Sequence, residues 1–343
     1  MIAPASRRLP ALPLALGLGA GIVGLGVLAV GLGAATIDAD LVARIVLHAI
    51  APDLVARDWS EAVQRIVLDL RLPRVLLAVL VGAGLAVVGV TLQAVTRNPL
   101  ADPYLFGVSA GASVGAVLVI AHVGDVLGPL TLPLAAFTGA FVSLLLVVAV
   151  AASAGSLAHD RLILAGVAVS FVLLAVTNFL IFLGDQRAAQ AVVFWMMGGL
   201  GLARWDLLWV PTTVVLAGGL LLWLSAARLD ALLLGDETAR SLGIGVARLR
   251  LMLFALSALV TGVLVAIAGA IGFVGLMVPH LARLLVGGRH AVVLPIAALM
   301  GALLLVGVDI LARLVLAPQE LPIGIITGAV GGLFFLTLMR RRS

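Results

Sequence analysis

Arg71-Leu-Pro-Arg-Val-Leu-Leu-Ala-Val-Leu-Val-Gly-Ala-Gly-Leu-Ala-Val-Val-Gly-Val-Thr-Leu-Gln-Ala-Val-Thr-Arg97 decides the fold. Between Arg74 and Arg97 no side chain is charged. A helix of that length, rising about 1.5 Å per residue, reaches fully across a hydrocarbon core of about 30 Å. The pattern recurs from end to end, with apolar runs at roughly 10 to 34, 105 to 122, 130 to 153, 161 to 183, 206 to 226, 250 to 270, 275 to 287, 291 to 314 and 321 to 339. Together with 72 to 96 they predict an all-α polytopic membrane protein of about ten transmembrane helices, one domain over residues 1–343. The runs at 105 to 122 and 275 to 287 are short and adjoin Pro99 or Pro103 and Pro279. Interrupted segments in corresponding halves suggest a pseudo-repeat around a central pathway, although simple helix breaks look the same.

Composition agrees. Hydrophobic residues make up 63% of the chain and charged ones 11%, with a mean hydropathy of +1.29. Soluble domains carry roughly 25% charge, and no soluble core could hide this much apolar surface. Cysteine is absent, which excludes disulfides, thiolate catalysis and cysteine-ligated metal. All 21 basic residues are Arg, and without Lys the chain cannot hold an ordinary phosphate-binding loop, so any ATP that drives it is bound by another subunit. In a soluble protein the net charge of +5 would point to nucleic acid; here the arginines stand at the ends of apolar runs, which points to membrane lipid and no nucleic acid.

The first run follows Arg7 and Arg8, and its length predicts a retained helix, since the apolar core of a secretory signal spans only about 7 to 15 residues. The more polar stretch from Asp38 to Asp69, containing Pro52 and Trp59, reads as an extramembrane connection ending in an interfacial helix. Placing both termini in the cytoplasm puts thirteen arginines inside, including Arg7, Arg8, Arg97, Arg250, Arg283 and Arg340 to Arg342. Against five inner acids that leaves +8 inside and −3 outside, as the positive-inside rule asks.

In lipid, helices attract largely through close backbone approach at small residues. Gly107, Gly111 and Gly115 form one ridge, Gly324, Gly328 and Gly332 another, and Gly262, Ala266 and Ala270 a softer third. These read as packing seams. Arg228 to Arg250 is polar, with Ala, Leu and Arg at helical spacing, and predicts short amphipathic helices outside the bilayer rather than a solvated loop. Thr91, Gln93, Ser170, Thr177 and Asn178 could line a translocation path or bond to neighbouring backbone. His280, after a Pro, reads as a hinge residue rather than a metal ligand. Asp309 and Arg313 stand at i, i+4 and could pair.

Arg71-Leu-Pro-Arg74, Gly82, Gly84, Gly89, Gln93, Arg97-Asn-Pro-Leu-Ala-Asp-Pro103, Gly107 and Gly111 together resemble the signature of the iron-chelate, haem and cobalamin permease family, the FecCD type. Trp195-Met-Met-Gly-Gly-Leu200, Gly272-Phe-Val-Gly-Leu-Met-Val-Pro-His280 and Glu320-Leu-Pro-Ile-Gly324 resemble further elements of it, so the likeness runs from about 60 to the C-terminus. Gly331-Gly-Leu333 departs from the family's usual Gly-Ala-Pro.

The resemblance implies a type II ABC importer permease fold with coupling helices at about 235–248. Asp236, Glu237, Arg240, Ser241, Leu242 and Gly243 would dock into the ATPase. It further implies that Arg71, Arg74 and Arg313 at the outer helix mouths pair with acidic residues of a binding protein, where simple interfacial snorkelling is the alternative. The expected protein is a homodimer in the bacterial inner membrane, served by two cytoplasmic ATPase subunits and a periplasmic substrate-binding protein. It would carry a bulky metal chelate, with haem or a ferric siderophore ahead of cobalamin. It would hold no catalytic residue, cofactor or metal ion of its own. An ion-coupled secondary transporter would need buried carboxylates, for which Asp309 is the best candidate. An intramembrane lipid-modifying enzyme would need clustered acids or a metal motif, and neither occurs.

Overall fold

Apolar runs in lipid must satisfy every backbone N–H and C=O internally, and the helix does so within one segment. The computed structural model describes residues 9–33, 36–153 and 159–340; Arg7, Arg8, Arg341 and Arg342 of the charge count lie outside them. The helices are α1 Ala11–Gly31, α2 Ala39–Ile50, α3 Glu61–Arg65, α4 Leu72–Val95, α5 Val108–Leu118, α6 Thr131–Ser153, α7 His159–Leu183, α8 Gln186–Met196, α9 Trp205–Leu224, α10 Ala226–Leu233, α11 Asp236–Ser241, α12 Val246–Ala268, α13 Val274–Val286, α14 His290–Leu314 and α15 Ile323–Arg340. Among the described residues eight helical stretches are long and apolar enough to cross a membrane, and α13 and the stretch Val108–Val123 are shorter apolar helices.

Two elements differ from expectation. The amphipathic helix of the polar stretch is α2, at its start rather than its end, and a π-helical turn at Ile66–Arg71 joins α3 to α4, so that the helical stretch runs unbroken from Glu61 to Val95. No sequence signal isolated α8, because it is short and its apolar content modest. Asp185 caps it, accepting the N–H of Ala188 at 2.7 Å.

The most buried span is α4, and α14 packs along it. A Cβ added to Gly82 would stand 2.1 Å from the Gly301 carbonyl oxygen, and one added to Gly89 would stand 2.0 Å from that of Gly275. Gly111 meets Gly139 in the same way, and Gly115 meets Ala135, so the first predicted ridge is a true seam between α5 and α6. The second is not. Gly328 and Gly332 face open space, while Gly324 abuts the Met197 carbonyl and Gly331 lies under the ring of Phe273. The third is ordinary contact, with Gly262 3.4 Å from the Ala140 Cβ on the same measure.

The two short helices both begin after irregular backbone. Gly107 (φ 73°) precedes α5 and Phe273 (φ 68°) precedes α13. The Tyr104 hydroxyl ties these breaks together, donating to the Ile271 carbonyl at 2.9 Å and accepting the Ile271 N–H at 2.8 Å. Gly199 N–H donates to Ala268 O (2.8 Å), and Ile323 and Gly324 N–H to Gly198 O and Met197 O (3.0 Å each), so the unwound stretches satisfy one another.

Gly89→Val should therefore lower the thermal stability of the detergent-solubilised chain, by about 3 kcal/mol or more because backbone must move. Gly332→Ala should leave the melting temperature unchanged.

Candidate functional site

At one end of the bundle the chain leaves α9, turns at Ser225 into α10, turns again at Gly235 (φ 112°) into α11, and re-enters through Gly243 (φ 78°) into α12. The positive φ at both glycines is what allows turns this tight. One side of this hairpin is packed: Leu229, Leu232, Ala239 and Val246 are buried. The other side is exposed, with Glu237, Thr238, Arg240, Ser241 and Gly243 at the surface and Leu242 63% exposed.

Asp236, half-buried at the start of α11, is tied to the bundle. Arg250 grips it with two hydrogen bonds of 2.7 and 2.8 Å, and Arg97, beyond the end of α4, pairs with the same carboxylate. The Arg250 guanidinium holds its carboxyl below the usual range. Asp230 on α10 accepts the Nδ1–H of His290 at 2.5 Å, which fastens that helix to the start of α14. The hairpin is thus bolted to α4, α12 and α14, with a free outer rim. In the adjoining loop, burial pushes the Asp102 carboxyl up to about 6, although it accepts the Tyr104 N–H.

At the opposite end the structure brings together all three arginines predicted there. Arg71 donates to the carbonyls of Val30 (2.7 Å) and Gly31 (2.9 Å), and Arg313 to that of Leu32 (2.8 Å), so both cap the last turn of α1. Asp309, 1% exposed, lies between Arg74 (2.9 Å) and Arg313 (3.0 Å), the latter being the anticipated i, i+4 pair. Arg74 also forks onto the exposed Glu320 at 2.8 and 2.9 Å.

The polar residues within the spans divide. The hydroxyls of Thr91, Ser170 and Thr177 donate to the carbonyls of Val87, Gly166 and Leu173 on their own helices. Gln93 cross-links α4 to α13, donating to Gly275 O (3.2 Å) and accepting from Arg283 (2.6 Å). Asn178 is exposed on α7. His280 sits within α13, its ring edge-on to Phe334. Among the described residues no cluster of three His, Asp or Glu could hold a metal ion.

Sequence reasoning missed Arg97, Arg250, Asp230 and His290 as anchors and Glu320 as the partner of Arg74. Their partners are remote in the chain, and no local spacing announces them.

Asp309→Asn should cost about 3 kcal/mol or more of stability, because it strands buried arginines. Asp236→Asn should destabilise too, while Glu237→Gln stays within about 0.5 kcal/mol. With a depressed folded-state pKa, Asp236 contributes above the ordinary carboxylate value near ~4, and the contribution fades as pH falls through the lower folded value. The stability gap between the native chain and Asp236→Asn should hold steady from about pH 5 to 8 and close only in acid, read by thermal melts across pH.

The chain is similar to known proteins in sequence and in overall fold. The family model described as the FecCD transport family covers residues 21–341. The hemin transport system permease protein of Yersinia pestis is 42% identical over 286 residues, covering 82% of this chain and 85% of that protein. The cobalamin import system permease protein of Halobacterium salinarum is 43% identical over 283 residues, covering 82% and 75%. A solved structure described as an inward-facing conformation of a metal-chelate type ABC transporter superposes with a TM-score of 0.84 at 32% identity, covering 96% of this chain and 99% of that one. With its fold, its length and its sequence all in agreement, this chain belongs to the FecCD transport family, the membrane permeases of ABC importers.

Proposed function

We propose that two copies of this chain form the membrane pathway of an importer for a bulky metal chelate, with haem or a ferric siderophore ahead of cobalamin. The relatives support the cargo class rather than that order, one being a hemin and one a cobalamin permease of equal similarity. The observation that carries the mechanism is the α10–α11 hairpin, rigidly held on one side and bare on the other. A separate ATPase docks on the bare rim of Glu237, Arg240, Ser241, Leu242 and Gly243. Because Asp236 is locked to Arg97 and Arg250, displacement of the rim moves α4 and α12 with it rather than bending a loop. The chain performs no chemistry of its own.

At the other end the cluster of Arg71, Arg74 and Arg313 receives acidic residues of a periplasmic binding protein. Arg74 and Glu320 form its outer edge. The path runs between the copies along α7, where Phe171, Leu174, Phe179 and Phe182 are exposed and Asn178 stands among them. An amide facing lipid would be costly, which favours a second copy or a wet path there. Thr91, Ser170 and Thr177 are turned to their own backbone and leave the corridor weakly polar, suited to a cargo that must slide. Gln93 serves as a brace. The arginine bias sets the coupling end and both termini in the cytoplasm of a bacterial inner membrane.

Ion-coupled transport is disfavoured because Asp309, its best carboxylate, is engaged by two arginines. Reconstituted with its ATPase and binding protein, the native chain should import chelate only with ATP hydrolysis. Leu242→Asp on the exposed rim should cut uptake at least about tenfold while leaving the melting temperature unchanged. Uptake at normal speed by the chain alone, driven by a pH gradient, would sink the reading.

A further inference from the structure

Beside the coupling hairpin, where α4, α10, α13 and α14 meet, lies a cavity of about 340 Å³. Its wall includes Gln93, Arg97, Leu233, Arg283 and His290, and no acidic residue. The volume lies within the range of small-ligand sites. Four features give it a chemical preference.

Arg283 is half-buried, and its one hydrogen-bond partner among the described residues is the Gln93 Oε1 at 2.6 Å. A guanidinium has five N–H donors in a fixed fork, and a half-buried one without a carboxylate is electrostatically incomplete. Gln93 cannot turn away, because its amide nitrogen is committed to the carbonyls of Gly275 and Leu276. The arginine is therefore held in place by a neutral group.

His290 is fully buried; its Nδ1 is spent on Asp230, and its Nε2 has no hydrogen-bond partner among the described residues. The first turn of α14 starts at this residue, and its backbone N–H is already capped by the Asp230 carboxylate at 3.2 Å. The facing acids are Asp230 and Asp236, against Arg97, Arg250 and Arg283, which leaves the junction at +1 with His290 neutral and +2 with it protonated.

We propose that this cavity binds a phosphate-class anion, gripped by the Arg283 fork, with Arg97 supplying the surrounding positive field. Phosphate oxygens match a guanidinium fork in two parallel hydrogen bonds. The ligand has two possible sources. The cavity lies where the apolar spans of α4 and α14 end, at headgroup depth, with exposed Leu233 as an apolar lip, so a phospholipid headgroup fits. A free phosphate from the aqueous side offers the same oxygens. Either occupant would share Arg97 with Asp236, the anchor of the coupling hairpin.

The site is independent of what the importer carries, and calorimetric titration of the full-length, delipidated chain in detergent tests it. The probes are inorganic phosphate and dihexanoyl phosphatidylglycerol, with dihexanoylglycerol as the uncharged control. At least one anionic probe should bind at one site per chain and the control should not. Saturable binding of phosphate alone assigns the free anion; binding of the lipid but not of phosphate assigns the headgroup. Arg283→Gln should weaken binding by about tenfold or more, and Arg283→Lys by less. Should Arg283→Gln fail to fold, Leu233→Glu places a repelling carboxylate on the exposed lip and should weaken binding comparably. The proposal is overturned if neither anionic probe binds the native chain, or if a folded Arg283→Gln or Leu233→Glu chain binds as tightly as the native one.

Discussion

Backbone must touch backbone for this bundle to hold. Lipid tails are as apolar as the helices, so burial alone does not drive the helices together, and the attraction depends on close approach and dispersion. Gly82 on Gly301 and Gly89 on Gly275 provide that approach for α4, the span at the centre of the molecule. Side chains at these positions would push α13 and α14 outward and separate the groups that α4 carries at its two ends.

Those groups are all charged or strongly polar, and all are engaged. At one end Arg71 and Arg74 join α4 to α1, Asp309 and Glu320; at the other, Gln93 and the adjacent Arg97 join it to α13 and to Asp236 of α11. One buried helix therefore acts as a strut between the arginine cluster at one end of the bundle and the α10–α11 hairpin at the other. The irregular breaks before α5 and α13 lie alongside it and are held by Tyr104 and by backbone pairing rather than by side-chain volume. Stiffness along the strut combined with local breaks beside it suits a machine whose ends must communicate while its path opens and closes.

The arginine cluster also shows how a helix bundle tolerates several guanidiniums close together. Arg74 and Arg313 share the single charge of Asp309, Glu320 adds a second carboxylate on Arg74, and the carbonyls at the end of α1 accept from Arg71 and Arg313. A surface this satisfied offers a partner a shaped patch of half-used donors, with Glu320 at its rim.

By itself the sequence determined what depends on run length and local spacing: an all-helical membrane bundle, its apolar helices to within a few residues save the early start of the one at Glu61, the polar hairpin between α9 and α12, the first glycine ridge and the Asp309–Arg313 pair. Bilayer thickness and helical periodicity are local constraints, so they are written locally. Tertiary structure alone decided that Gly331 rather than Gly332 packs, that Asp236 is tied to Arg97 and Arg250, and that Thr91, Ser170 and Thr177 turn to their own backbone. It also decided which cations close on which carboxylates, because pairs such as Arg97 with Asp236 are far apart in the chain and meet only when the glycine contacts set the helix spacing.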